Sequence, residues 1–142
     1  MNRSRTLWAL TFVALMPFAG AAWALWAIGG VYAGPALLAL MAWAAAVLAF
    51  LGGARWGSAV AAPAPDGLML AAAWLPAFAG WGLLAAPIAD VRLQIGGFIA
   101  AFAAVLLWEL KAVGPQGRAA RLTLIAGALI ALLAALVFVI RL

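Results

Sequence analysis

The 142-residue sequence contains no cysteine, no histidine and only three acidic residues. Without cysteine there is no disulfide and no thiolate nucleophile. Without histidine there is no imidazole base, no His-ligated metal and no bis-His haem. Charge of either sign is scarce, at 8% of residues against about 25% in an ordinary soluble domain. Apolar residues take its place: 71% of the chain is hydrophobic and the mean hydropathy is +1.25. A water-soluble fold of this size has too few polar side chains to cover that much apolar surface. The composition predicts an integral membrane protein with the lipid bilayer as its first partner. It offers no catalytic residue set, no metal site and no cofactor site.

A membrane-spanning helix needs about 20 consecutive apolar residues. Runs of that kind place five helices at about 7–28, 35–60, 68–86, 94–110 and 122–140, in a single all-α membrane domain covering 1–142. The punctuation between them follows turn chemistry. Gly29-Gly30 ends the first run, and Pro35 stands at a first-turn position of the second, where its missing N–H is no loss. Pro63-Ala64-Pro65-Asp66-Gly67, Pro87-Ile88-Ala89-Asp90 and the polar stretch around Gly114-Pro115 make the remaining loops. Pro17 and Pro76 fall inside the first and third runs, where a proline frees a backbone carbonyl and kinks the helix. Laying Met16-Pro17 on Leu75-Pro76 also aligns Trp43-Ala44-Ala45 with Phe102-Ala103-Ala104. That shift, about 59 residues, would make a parallel repeat of helical hairpins with the fifth helix added.

The Lys and Arg distribution sets the expected orientation. Arg3, Arg5, Arg55, Lys111, Arg118 and Arg121 share one side of the five-helix scheme, leaving only Arg92 and Arg141 on the other. The N-terminus is therefore expected inside and the C-terminus outside, in a multi-pass protein of a bacterial inner (cytoplasmic) membrane. The net charge of +5 reads as attraction to anionic headgroups and not as a nucleic-acid footprint. Met1 to Arg5 and Ala22-Trp23-Ala24 have the outline of a signal peptide. The apolar run between them exceeds the usual 7–15 residues of such a segment, which favours a retained span.

Three constellations stand out. Gly52, Gly53, Arg55, Trp56 and Gly57 form a helix-packing motif, because glycines let a neighbouring helix approach closely in lipid. Arg55 has two readings: an interfacial anchor that snorkels beside Trp56, or one half of an ion pair with Glu109 that clamps helices two and four. Trp74, Phe78 and Trp81 share one face of helix three, and Trp43 lies deep in helix two. These four read either as core or as the wall of a hydrophobic ligand pocket. Asp66 is expected to cap helix three, and Asp90 and Arg92 to form an exposed pair or a helix cap at the outer start of helix four. Ser58 has no base near it, and no helix centre carries an ionisable group, which argues against nucleophilic and ion-coupled functions.

The run Phe50-Leu51-Gly52-Gly53-Ala54-Arg55-Trp56-Gly57 resembles the signature of a family of small membrane proteins labelled domain of unknown function 3429. That family includes the eukaryotic transmembrane protein 69 group. Leu15-Met16-Pro17-Phe18, Leu75-Pro76 with Trp81, Leu107-Trp108-Glu109 and Arg121-Leu122 resemble its other helices in order and spacing. Two departures stand out: Arg55 replaces a common His, and Gly114-Pro115-Gln116-Gly117 replaces an aromatic-rich approach to helix five. The resemblance implies a five-helix inner-membrane protein and no particular activity.

The residues support a non-catalytic scaffold or assembly protein, in contact with another membrane protein or with a second copy of itself. Small residues on several faces, Gly52, Gly53, Gly57, Gly96, Gly97 and Gly127, carry that reading. The alternative is a binder of hydrophobic small molecules or lipids with a Trp-lined intramembrane pocket. With no His, no Cys and no paired acids within the membrane, an enzyme is not expected.

Overall fold

The structure is a computed structural model that describes residues 2–111 and 117–142; the expected turn at Gly114-Pro115 lies outside them. Among the described residues all regular structure is helical. Five stretches are long and apolar enough to cross a membrane: Arg3–Ile28, Gly30–Ala61, Gly67–Ala85, Val91–Lys111 and Arg118–Ile140. Each starts ahead of the corresponding hydropathy run, and polar side chains, Asn2, Asp66 and Asp90, cap the first, third and fourth. Helix α1 (Arg3–Trp23) begins at the Asn2 side chain, which accepts from the Ser4 N–H at 3.0 Å. A wide turn over Ala24–Ile28 follows, closed by the Gly29 N–H on the Ala24 carbonyl. Gly29 and Gly30, both at φ +58°, reverse the chain in a region that residues with a Cβ rarely enter. Helix α2 (Ala33–Ala61) then runs back across.

The third span departs from the expected single kinked helix. Helix α3 (Gly67–Ala72), capped by the Asp66 carboxylate on the Leu68 N–H, stops at a turn. The Trp74 N–H there bonds the Ala71 carbonyl, three residues back. Helix α4 (Leu75–Ala85) restarts with Pro76 in its first turn. Pro76 therefore opens a helix, a position that needs no proline N–H. Pro17 by contrast lies inside an unbroken α1, so the two prolines aligned by the hairpin repeat sit in different local geometry. Helix α5 (Val91–Lys111) starts where Asp90 accepts from the Arg92 N–H at 2.9 Å. Helix α6 (Arg118–Ile140) follows Gly117, at φ +87°.

Each span packs on the next, α1 on α2, α2 on α4, α4 on α5 and α5 on α6, and α6 closes on α1. Helix α2, the longest, also reaches α5 and α6 through the middle. Phe18, Leu48, Phe98, Phe102, Ile125 and Leu132 fill the centre. The periphery is equally apolar, as expected where lipid replaces water as the solvent.

The tightest seam joins α2 to the third span. A Cβ added at Gly80 would stand 2.9 Å from the Ala45 Cα, and one at Gly52 would collide with the Ala73 carbonyl oxygen. The two contacts lie two turns apart on each side, in antiparallel register. Two indoles tie other seams to backbone: Trp43 Nε1 donates to the Ala14 carbonyl at 2.8 Å, and Trp26 Nε1 to the Ala134 carbonyl at 3.1 Å. Ala14 is the neighbour of Val13, whose carbonyl Pro17 leaves without its helical partner. Replacing Trp43 by Phe removes one such bond and is expected to cost about 1 kcal/mol, read from unfolding in mixed detergent micelles. A cost indistinguishable from zero would show that the bond is not stabilising.

Candidate functional site

Three charged side chains meet inside one end of the bundle. Arg55 stands six residues before the end of α2, or about 9 Å along the helix. Glu109 stands two residues before the end of α5, and Arg121 three residues after the start of α6. The shared end is also the one at which α1 begins, since Leu7 of α1 packs on Gly117. Arg55 Nη2 donates to Glu109 Oε2 at 2.5 Å, while Arg121 Nε and Nη2 both reach Oε1, at 3.0 and 2.7 Å. Glu109 is 2% exposed and each arginine 8%. The Arg55 guanidinium also lies over the Trp108 ring, 5.5 Å from its centroid.

Geometry dictates why these residues meet. A carboxylate has two oxygens and a guanidinium is a planar fork of donors, so one Glu can hold two Arg side chains. An isolated charge in hydrocarbon is costly, which drives the arginines to the acid and not into the lipid. Both carboxylate oxygens are engaged by cations, and the cluster keeps one net positive charge. The arrangement fastens α2, α5 and α6 together. Arg55 is not exposed to headgroups, so the snorkelling-anchor reading gives way to the interhelical one.

Arg121 is the member that sequence reasoning missed, because it reads there as one more loop charge. The signal was present: Glu109 and Arg121 flank the polar stretch at its two ends, and an antiparallel hairpin brings such positions to the same depth. A second polar tie also escaped notice. Gln94 Nε2 donates to the Leu83 carbonyl at 2.9 Å, joining the third and fourth spans.

The glycine motif is divided. Gly52 faces inward against Ala73, whereas a Cβ at Gly53 or Gly57 would meet nothing within 4 Å, and Trp56 is exposed beside them. Of the other small residues, Gly97 meets Leu83 and Gly127 meets Leu15, while Gly96 is open. The four aromatics do not share a pocket, which corrects that expectation. Trp43 borders a cleft between α1 and α2, and Trp74 borders a separate groove between α2 and the third span. Phe78 and Trp81 point outward, 62% and 68% exposed. The third span turns its aromatic stripe away from the bundle, because Gly80 and Pro76 of α4 occupy the buried side. Among the described residues no group of His, Cys, Asp and Glu is able to hold a metal ion.

Fold and site together define a multi-pass helical membrane protein with five apolar spans, three of them fastened by a buried Arg–Glu–Arg cluster. Comparison of the chain with family models, with curated proteins and with solved structures finds no match in any of the three.

Proposed function

We propose that this protein is a non-catalytic scaffold or assembly factor of a bacterial inner membrane, with its N-terminus in the cytoplasm, that acts by helix–helix contact. One observation carries the reading: the outward Gly53–Gly57 pair on α2. Glycines four residues apart form one flat patch on a helix, and such patches let a second helix approach at backbone distance. The patch adjoins a groove of about 300 Å³ lined by Ala49, Gly53, Trp56, Ala73 and Trp74, so a partner helix finds both a flat seat and aromatic rims. The resemblance to the domain-of-unknown-function 3429 family belongs to the same proposal and adds no activity to it. The alternative Trp-lined ligand pocket loses support from the outward Phe78 and Trp81.

The test replaces Gly53 and Gly57 by Leu and cross-links the protein in its own membranes. The expected result is loss of the cross-linked partner, either another membrane protein or a second copy, with unfolding stability unchanged. A partner retained by the double variant would overturn the reading. The absence of native cysteine makes the orientation equally testable. A cysteine introduced at Ser4 is expected to react with an impermeant maleimide only after the membrane is opened; reaction in intact cells would reverse the topology.

A further inference from the structure

The cleft between α1 and α2 belongs to neither the charged cluster nor the glycine patch. It has a volume of about 300 Å³ and is walled by Leu7, Leu10 and Ala14 of α1 and by Trp43, Val47 and Phe50 of α2. Its two polar side chains are already committed. The Thr11 hydroxyl donates to the Leu7 carbonyl at 2.8 Å, and the Trp43 N–H donates to the Ala14 carbonyl at 2.8 Å. The walls therefore present hydrocarbon and no free hydrogen-bonding group, which suits an alkyl chain and not a polar ligand.

Its upper end is different. Arg3 stands four residues before Leu7, on the same stripe of α1 that continues through Leu10 and Ala14. A shallow recess lined by Asn2, Arg3, Ser4 and Gly117 adjoins the cleft at Leu7, which borders both. Arg3 is exposed. From Arg3 to Ala14 the helix rises about 16 Å, close to the thickness of one hydrocarbon leaflet, about 15 Å. A cation thus stands one helical turn beyond the end of an apolar cleft, and the two together span about one leaflet.

We propose that this cleft is a binding site for one anionic phospholipid, with an acyl chain between α1 and α2 and the phosphate at Arg3. The uncharged chain fills the void that the two helices leave, and the headgroup charge complements a bundle end rich in Arg and Lys. The site goes beyond the scaffold reading and uses different residues, so either can fail alone.

The test is native mass spectrometry of the full chain released from nanodiscs of equal phosphatidylglycerol and phosphatidylethanolamine. One retained phosphatidylglycerol is expected, favoured over phosphatidylethanolamine by about fivefold, the factor one arginine supplies at an anionic surface. Arg3→Gln is expected to abolish that preference while a lipid is still retained. Ala46→Trp, which fills the cleft from an exposed position, is expected to remove the retained lipid of either kind. Should Ala46→Trp fail to fold, Leu10→Trp blocks the opposite wall and reads the same quantity. Lipid retention indifferent to both tryptophans, or a headgroup preference indifferent to Arg3→Gln, would overturn the proposal. So would cross-linking of a cysteine at Ala46 to the same position of a second copy, which would put protein and not lipid in the cleft.

Discussion

Glu109→Ala is expected to destabilise the protein by about 3–5 kcal/mol, the cost of stranding a buried charge partner. Removing the carboxylate leaves Arg55 and Arg121, each 8% exposed, with like charges facing one another. The single-arginine variants are expected to cost less. Arg55→Ala leaves Glu109 held by both donors of Arg121, and Arg121→Ala leaves it held by Arg55. The expected order is therefore Glu109 first, with the two arginines well behind. Arg121→Lys is expected to lose part of the stability, because an ammonium cannot place two donors on one oxygen as the guanidinium edge does.

The same cluster makes a second, sharper statement about coupling. In a double-mutant cycle, Arg55→Ala and Glu109→Ala are expected to be non-additive by about 0.5–3 kcal/mol. Replacing all three by Leu is expected to cost far less than the sum of the single changes, since no charge is then left buried. Unfolding by dodecyl sulfate in mixed micelles measures each value. Independent, additive losses at Arg55 and Glu109 would mean that the contact does not fasten the helices.

Much of this architecture was legible in the sequence, for a physical reason: lipid forces every backbone group to be satisfied within a helix, so span length and turn chemistry leave few choices. The Arg55–Glu109 meeting could be anticipated because two opposite charges at one depth have no better partner. Arg121 escaped because its depth depends on where α6 begins, and Arg118 begins it a turn earlier than hydropathy alone indicates. The direction of the third span's aromatics was illegible for a different reason. Periodicity puts Trp74, Phe78 and Trp81 on one face, but in a bilayer both core and lipid are apolar, so pattern does not say which one that face meets. The decision came from backbone approach. Gly80 and Pro76 take the inside, and the large rings are left outside.

Gly52→Ala is expected to cost about 1–3 kcal/mol, as overpacking does, although it adds a single methyl and replaces a residue that is itself unfavourable in helices. The reason lies in what the methyl would meet. At Gly97 and Gly127 the obstacle is the flexible end of a leucine, which can swing aside. At Gly52 it is the carbonyl oxygen of Ala73, with the Pro76 ring 3.4 Å away. That carbonyl belongs to the turn between α3 and α4, and Pro76 fixes the backbone just beyond it, so neither can yield without moving the third span off α2. Such a shift would also open the Ala45–Gly80 contact two turns away, which makes the cost cooperative along the seam. Gly53→Ala, one residue on, adds its methyl to open space and is expected to be neutral or mildly stabilising through helix propensity. The pair of variants therefore separates close packing from propensity in one helix turn. If the two unfold at the same detergent concentration, α2 and the third span are not in backbone contact at Gly52.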